Sequence, residues 1–203
     1  MDHFYHGIHG FFGFENFYKS MVEHFESGAR FVELGTYRGT SLAYLVVEII
    51  NSGKDIDVTC VDLFGLEHLR CHTYPELYDD FRKAMEPIWG TFTVLRMDSL
   101  EAVQEFDDGS LDMVFIDTSH LYEPCKAEIV AYLPKLKPGG ILAGHDWHMD
   151  GVNTAVCECL PNDIHVSYVT WWYQIPGGEK PFVPEYGIKI DCTNPVRWPT
   201  GEC

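Results

Sequence analysis

The chain has 203 residues and a mass of 23.2 kDa, a length that suits one domain with a sizeable core. Apolar types make up 46% and charged types 22%, which excludes wholesale disorder. Lys and Arg number 14 against 31 Asp and Glu, a net charge of −17 without any dense basic cluster, so nucleic acid and anionic membrane surfaces are not expected partners. The longest apolar stretch, residues 42–50, is too short to span a bilayer and contains Glu48. Met1-Asp2-His3-Phe4 lacks the basic start and apolar run of a secretory signal, so a cytoplasmic location is expected. Seven Cys with no C-x-x-C pair predict reduced thiols, and Cys157 and Cys159, two apart, do not share a helix face.

Alternation organises the chain. Behind an aromatic and His-rich leader, residues 16–26 carry Phe17, Met21 and Phe25 at helical spacing and predict an amphipathic helix. Residues 29–34 are a short apolar run stopping at Gly35, which predicts a buried strand. A helix over 40–51 places Leu42, Leu45, Val46 and Ile49 on one side. A strand over 57–64, a helix over 76–87, a strand over 91–97, a short helix over 100–106 and a strand over 112–117 follow. A helix over 124–137 is stopped by Pro138-Gly139-Gly140. The rest reads as a strand over 141–145, a helix over 152–160 and two strands over 164–174 and 187–191. The central strands are continuous apolar runs, as strands buried on both faces should be. The expected fold is α/β: a doubly wound, mostly parallel seven-stranded sheet with helices on both faces, Rossmann-like, in a single domain over 1–203. Residues 1–28 form its leader and first helix, 29–160 its core, and 161–203 its last strands and an irregular tail.

Right-handed crossovers send the carboxyl ends of parallel strands to one edge, where a ligand crevice forms. Glu33, Gly35, Thr36, Tyr37, Arg38 and Gly39 follow the first strand, Asp62 ends the second, and Asp98-Ser99 follow the third. Asp117 ends the fourth with His120 three residues on, and His145-Asp146-Trp147-His148 end the fifth. Carboxylates gathered in this way are costly unless they bind hydroxyls, a cation or a metal. The G-x-x-x-G of Gly35 and Gly39 permits a close backbone approach to a ligand, and a plain strand-to-helix turn explains it about as well. Asp62 is placed to bind a ribose diol or, equally, to end a strand facing solvent.

The succession FVELGTYRGTS, VTCVDLF, MDS, MVFIDTSHLYEPCKAEI and LKPGGILAGHDWH resembles a class I S-adenosylmethionine-dependent methyltransferase over roughly residues 29–160. More narrowly it is similar to the small methyltransferase group with an I-D-x-x-H-x-Y-E segment and to the macrolide sugar O-methyltransferases. The resemblance implies that Glu33 and Gly35 flank the methionine part of S-adenosyl-L-methionine, with Thr36, Tyr37 and Gly39 in the same loop. It puts Arg38 at the cofactor carboxylate, Asp62 at the ribose, and Asp98 with Ser99 at the adenine. Asp117 counts in both the cofactor-binding set and a catalytic set of Asp117, His120 and Asp146, with His120 as base. The resemblance also implies a divalent metal, Mg2+ or Mn2+, held by Asp117 and Asp146. His145 joins that set but stands where the metal-dependent branch has an acid, which moves preference toward a transition metal or no metal.

The expected reaction is O-methylation of a small hydroxylated acceptor such as a sugar. A hydroxyl pKa of about 16, near that of water, calls for a metal or a positioned base. Imidazole titrates near neutrality and suits His120 for the base; its alternative is a hydrogen bond at the start of the following helix. Asp117 and Asp146 either ligate a metal or only position substrate. Two rival functions stay open: a nucleotide- or NAD-binding oxidoreductase or epimerase, against which Glu33 and the missing third glycine speak, and a non-catalytic binding module, which His145 keeps open. His3, His6 and His9 read as a metal site or, better, as part of a leader that covers the cofactor pocket or packs on a second copy in a homo-oligomer. The polar segment 67–78 either lines the acceptor pocket or is a solvated loop. Trp171-Trp172-Tyr173 either stack on a sugar or pack in the core.

Overall fold

The computed structural model describes residues 1–65, 76–161, 163–184 and 186–192. They form two compact units, residues 1–104 and 105–203. In the first, α1 (Glu15–His24), β1 (Arg30–Leu34), α2 (Thr40–Ser52), β2 (Asp57–Val61), α3 (Leu77–Ala84), β3 (Thr93–Leu95) and α4 (Ser99–Ala102) follow in order. The strands are parallel in the order β3-β2-β1. The pairing is in register from Arg30 opposite Asp57 to Leu34 opposite Val61.

α2 is buried almost all round, from Thr40 through Val47 and again at Ile49. A helix apolar on every side needs cover on every side. α1 supplies part of it with Phe17, Tyr18, Met21 and Val22. The leader supplies more: the His3 ring stacks on Tyr44 at 4.6 Å and bonds Glu48 at 2.7 Å, and Asn51 accepts from the Met1 amine at 2.5 Å. The aromatic and His-rich leader is therefore a cover for α2.

The second unit holds β4 (Leu111–Ile116), α5 (Tyr122–Tyr132), β5 (Leu136–Gly144), α6 (Asp150–Cys159), β6 (Ile164–Ser167), β7 (Thr170–Gln174) and β8 (Ile188–Ile190). Strand order is β4-β5-β7-β6-β8. β4 and β5 are parallel, and the remaining pairings are antiparallel. α5 and α6 pack on each other. Trp171, Trp172 and Tyr173 are buried in β7 and belong to the core.

The α/β class is as expected, with three local corrections. The segment 164–174 is a hairpin, turned at Tyr168 with φ 56°, so the described residues hold eight strands where seven were expected. The helix expected over 124–137 ends at Tyr132, and β5 already begins at Leu136. Leu111 pairs with Leu136 and Met113 with Ile141, so Pro138-Gly139-Gly140 is a bulge inside a strand and not a helix stop. A bulge needs no ladder donor from Pro, and Gly139 supplies the left-handed φ of 84°. Third, Cys157 and Cys192 form a disulfide, where reduced thiols were expected. Pairing of β8 with β6 carries Cys192 back to α6, a closeness that the 35-residue separation hides. Cys60, Cys125 and Cys159 are free thiols. Most of the polar segment after β2, and the tail from residue 193, lie outside the described residues. Among the described residues no helix is long and apolar enough to cross a membrane.

The disulfide closes a 35-residue separation, and its reduction should cost roughly 2–4 kcal/mol of stability. Urea denaturation with and without a phosphine reductant measures this, with Cys192→Ser expected to match the reduced protein.

Candidate active site

In the first unit the strand ends are tied together by carboxylates. Asp62 Oδ2 accepts from the backbone N–H of Thr36 at 2.9 Å and of Tyr37 at 2.7 Å, and its Oδ1 accepts from Phe64 N–H at 2.6 Å. Tyr37 and Phe64 have φ of 52° and 48°, a left-handed conformation that bulky side chains resist. Asp62 thus holds the loop after β1 against the end of β2. Burial pushes its carboxyl up, and the three N–H donors offset part of that rise.

Glu33 is buried; it accepts from Tyr18 Oη at 2.6 Å and from Ser41 Oγ at 3.1 Å, which fixes β1 to α1 and α2. Its carboxylate therefore organises the loop from beneath. Gly39 caps α2 at φ 87°, a left-handed conformation that side chains with a Cβ rarely adopt and glycine takes without strain. α2 has neither a side-chain cap nor an acid in its first turn, which leaves its N-terminal N–H groups open to an anion. Arg38 lies over the Tyr37 ring and 3.4 Å from Asp80. Asp98 caps α4 by accepting from Leu100 N–H at 2.9 Å, with Ser99 as the first helical residue.

In the second unit Asp117, His120, His145 and Asp146 come together. His120 Nε2 is 2.8 Å from Asp146 Oδ2, and His145 Nδ1 is 3.2 Å from the same oxygen and 3.5 Å from Asp117 Oδ1. His120 is half exposed, while His145, Asp117 and Asp146 are mostly covered. His148 stands further off, 3.9 Å from Asp146 Oδ1. Backbone bonds place the set: His145 N–H donates to Ile116 O at 3.1 Å, Trp147 N–H to Val169 O at 2.9 Å. Asp146 itself takes φ 57°, a left-handed position that Asp tolerates better than most residues. At Gly151 a Cβ would stand 2.4 Å from His120 O, so only glycine lets α6 abut the loop that carries His120. A small cavity of about 10 Å3, room for about one water, is lined by these four residues and Trp171. The Trp171 indole N–H, a donor only, is buried and has no hydrogen-bond partner among the described residues.

The charges follow from this geometry. Burial would lower the His145 imidazole, but its bonds to Asp117 and Asp146 prevail and push it up to about 10. His120 is raised above its ordinary value by the Asp146 bond, against a smaller effect of burial. Burial works to raise Asp146, yet the two imidazoles outweigh it and hold this carboxyl well below the usual range. Asp117 is raised by burial, only partly offset by His145.

Residues 32–147, more than half of the chain, match a family model described as a methyltransferase domain. The chain belongs to this family of class I S-adenosylmethionine-dependent methyltransferases. An uncharacterized protein of Sinorhizobium fredii is 30% identical over 120 residues, 58% of this chain but 13% of that protein, so the match spans a small part of that relative's length. The O-methyltransferase NovP matches with a TM-score of 0.65 at 15% identity, over 80% of this chain and 79% of that one. CalS11, a TDP-rhamnose 3'-O-methyltransferase of calicheamicin biosynthesis, matches with 0.55 at 16% identity, over 79% and 77%. At such identities the likeness is one of fold.

Within this methyltransferase, sequence reasoning missed several residues that build the site. Glu128 is buried on α5 and accepts from Thr118 Oγ1 at 2.5 Å, which steadies the loop between Asp117 and His120. Its signal was present: Cys125, Glu128, Ile129 and Tyr132 share one helical face, and an acid on an apolar face needs a partner. Tyr18 and Ser41, the partners of Glu33, carry no such signal.

The elevated imidazole makes stability depend on pH. His145 binds its proton more tightly folded than unfolded, so its contribution is full below about 6.5 and is lost as pH rises toward about 10. The melting temperature should fall across that interval, and His145→Gln should flatten the fall, as read by calorimetry in a pH series.

Proposed function

We propose that the chain is an S-adenosylmethionine-dependent O-methyltransferase for a small hydroxylated acceptor such as a sugar, with His120 as the general base and Asp146 as its orienting partner. The observation that carries this reading is the 2.8 Å contact between a half-exposed imidazole and a covered carboxylate at the ends of two parallel strands. NovP and CalS11, whose names describe O-methyltransferases, support the acceptor class by fold likeness.

The residues of the first unit suit the cofactor. The open N-terminus of α2 would receive its carboxylate, with Arg38 nearby. Gly35, Thr36, Tyr37 and Gly39 would present backbone to it, Asp62 would take the ribose hydroxyls, and Asp98 with Ser99 would border the adenine. Glu33 would act through Tyr18 and Ser41 by holding that loop in place.

The bound cofactor supplies an already electrophilic sulfonium methyl. The protein must then hold an acceptor oxygen in line and receive its proton. His120 Nδ1, the ring nitrogen away from Asp146, takes the proton as the oxygen–methyl bond forms and the sulfur–methyl bond breaks, and Asp146, held by the Nε2 N–H, stabilises the resulting imidazolium. Asp117 positions the acceptor. The single-water cavity, lined by Asp117, His120, His145 and Asp146, would receive the reacting hydroxyl.

Asp62→Ala should weaken S-adenosylmethionine binding by about 10- to 100-fold, the loss of a charged hydrogen-bonding group. His120→Ala should leave that affinity within about twofold while turnover falls roughly 10²- to 10⁴-fold. Titration calorimetry and methyl-labelled cofactor with a panel of free and nucleotide-linked sugars measure both. A chain that ignores S-adenosylmethionine, or a His120 variant that turns over normally, removes this reading.

A further inference from the structure

Asp117, His120 and Asp146 each offer an atom within 4.8 Å of the others, close enough to gather around one ion. The orientation of those atoms does not suit an ion. A metal-bound His must present a lone pair. Here His120 Nε2 and His145 Nδ1 both face Asp146 Oδ2, so each donates an N–H toward the carboxylate and neither turns a lone pair toward the acids. His145 also reaches Asp117, so a single ring stands against both acids. An arriving divalent ion would have to displace the ring N–H groups that occupy Asp146 Oδ2 and face Asp117 Oδ1.

We propose that His145 fills the position of a divalent ion between Asp117 and Asp146, so that this site works without a metal, and that His145→Asp alone turns it into a divalent-cation site. The inference deepens the methyltransferase reading and rests on it for its catalytic meaning. The substitution removes the ring N–H that lies against both acids, adds a third carboxylate and gives an all-oxygen donor set suited to Mg2+ or Mn2+. His145→Asn removes the ring and offers a neutral carbonyl oxygen without a third carboxylate.

The test uses the full chain, freed of metal by chelation and titrated with Mn2+, with free Mn2+ read by electron paramagnetic resonance. Wild type should bind no Mn2+ below about 1 mM, and Mn2+ should not raise its melting temperature. His145→Asp should bind at least tenfold more tightly and melt higher with Mn2+ present. His145→Asn should fall between the two, and it serves alone if the Asp variant does not fold. Micromolar Mn2+ binding by wild type overturns the proposal. So does a folded His145→Asp variant, or in its place His145→Asn, that binds no better than wild type. None of these readouts needs an acceptor. A parallel titration with S-adenosylmethionine separates failure of this inference from failure of the methyltransferase reading.

Discussion

One carboxylate oxygen, Asp146 Oδ2, faces two imidazoles, His120 at 2.8 Å and His145 at 3.2 Å. Each contact has a different consequence. The bond to His120 steadies a ring that is otherwise half in solvent and raises its basicity. The bond to His145 ties the end of β5 to the end of β4 through Asp117. For one oxygen to serve both, the backbone must turn sharply at Asp146. The left-handed φ of 57° provides that turn, and the bonds of Trp147 to Val169 and of His145 to Ile116 hold it.

The first unit uses the same device in another form. Asp62 spends its carboxylate on three backbone N–H groups and so fixes two aromatic residues in an unfavourable conformation. The loop around them opens on an uncapped helix. Glu33, one layer below, is satisfied by Tyr18 and Ser41, so an acid that looks like a ligand in sequence is a strut in the fold. In the first unit Asp62 and Asp98 settle backbone and Glu33 settles packing, whereas in the second the acids at strand ends hold imidazole rings.

Much of this was legible in the sequence because it depends on local pattern. The runs FVEL, VTCV and MVFI are buried strands, and the polar residues that follow them gather into two groups. Asp117, His120, His145 and Asp146 could be named because each lies within four residues of the end of such a run. What sequence hid depends on tertiary pairing or backbone conformation. The bulge at Pro138-Gly139-Gly140 has the composition of a helix stop, and only pairing to Leu111 makes it strand. The hairpin at Tyr168 lacks the Gly or Asn that usually marks a left-handed turn. Cys192 meets Cys157 only because β8 folds back onto β6. Which atoms of Asp62 and Glu33 are already occupied is likewise a fact of contact.

The charge of the second site explains why a His can stand where a third acid would otherwise be expected. Asp117 and Asp146 offer carboxylate oxygens within 4.8 Å of each other, and two unit charges at that distance repel by roughly 3 to 4 kcal/mol at an effective dielectric constant near 20, so an N–H donor that faces both favours their ionised forms. His145 supplies that donor with one ring nitrogen set against both acids, and the carboxylate of Asp146 favours uptake of a proton by His120. A divalent ion would work differently: bound to the acceptor oxygen, it would make the hydroxyl more acidic. An imidazolium cannot ligate that oxygen. In the proposed reaction the demand on the acceptor falls instead on the base, and the bond from Asp146 that raises His120 would be the element that meets it.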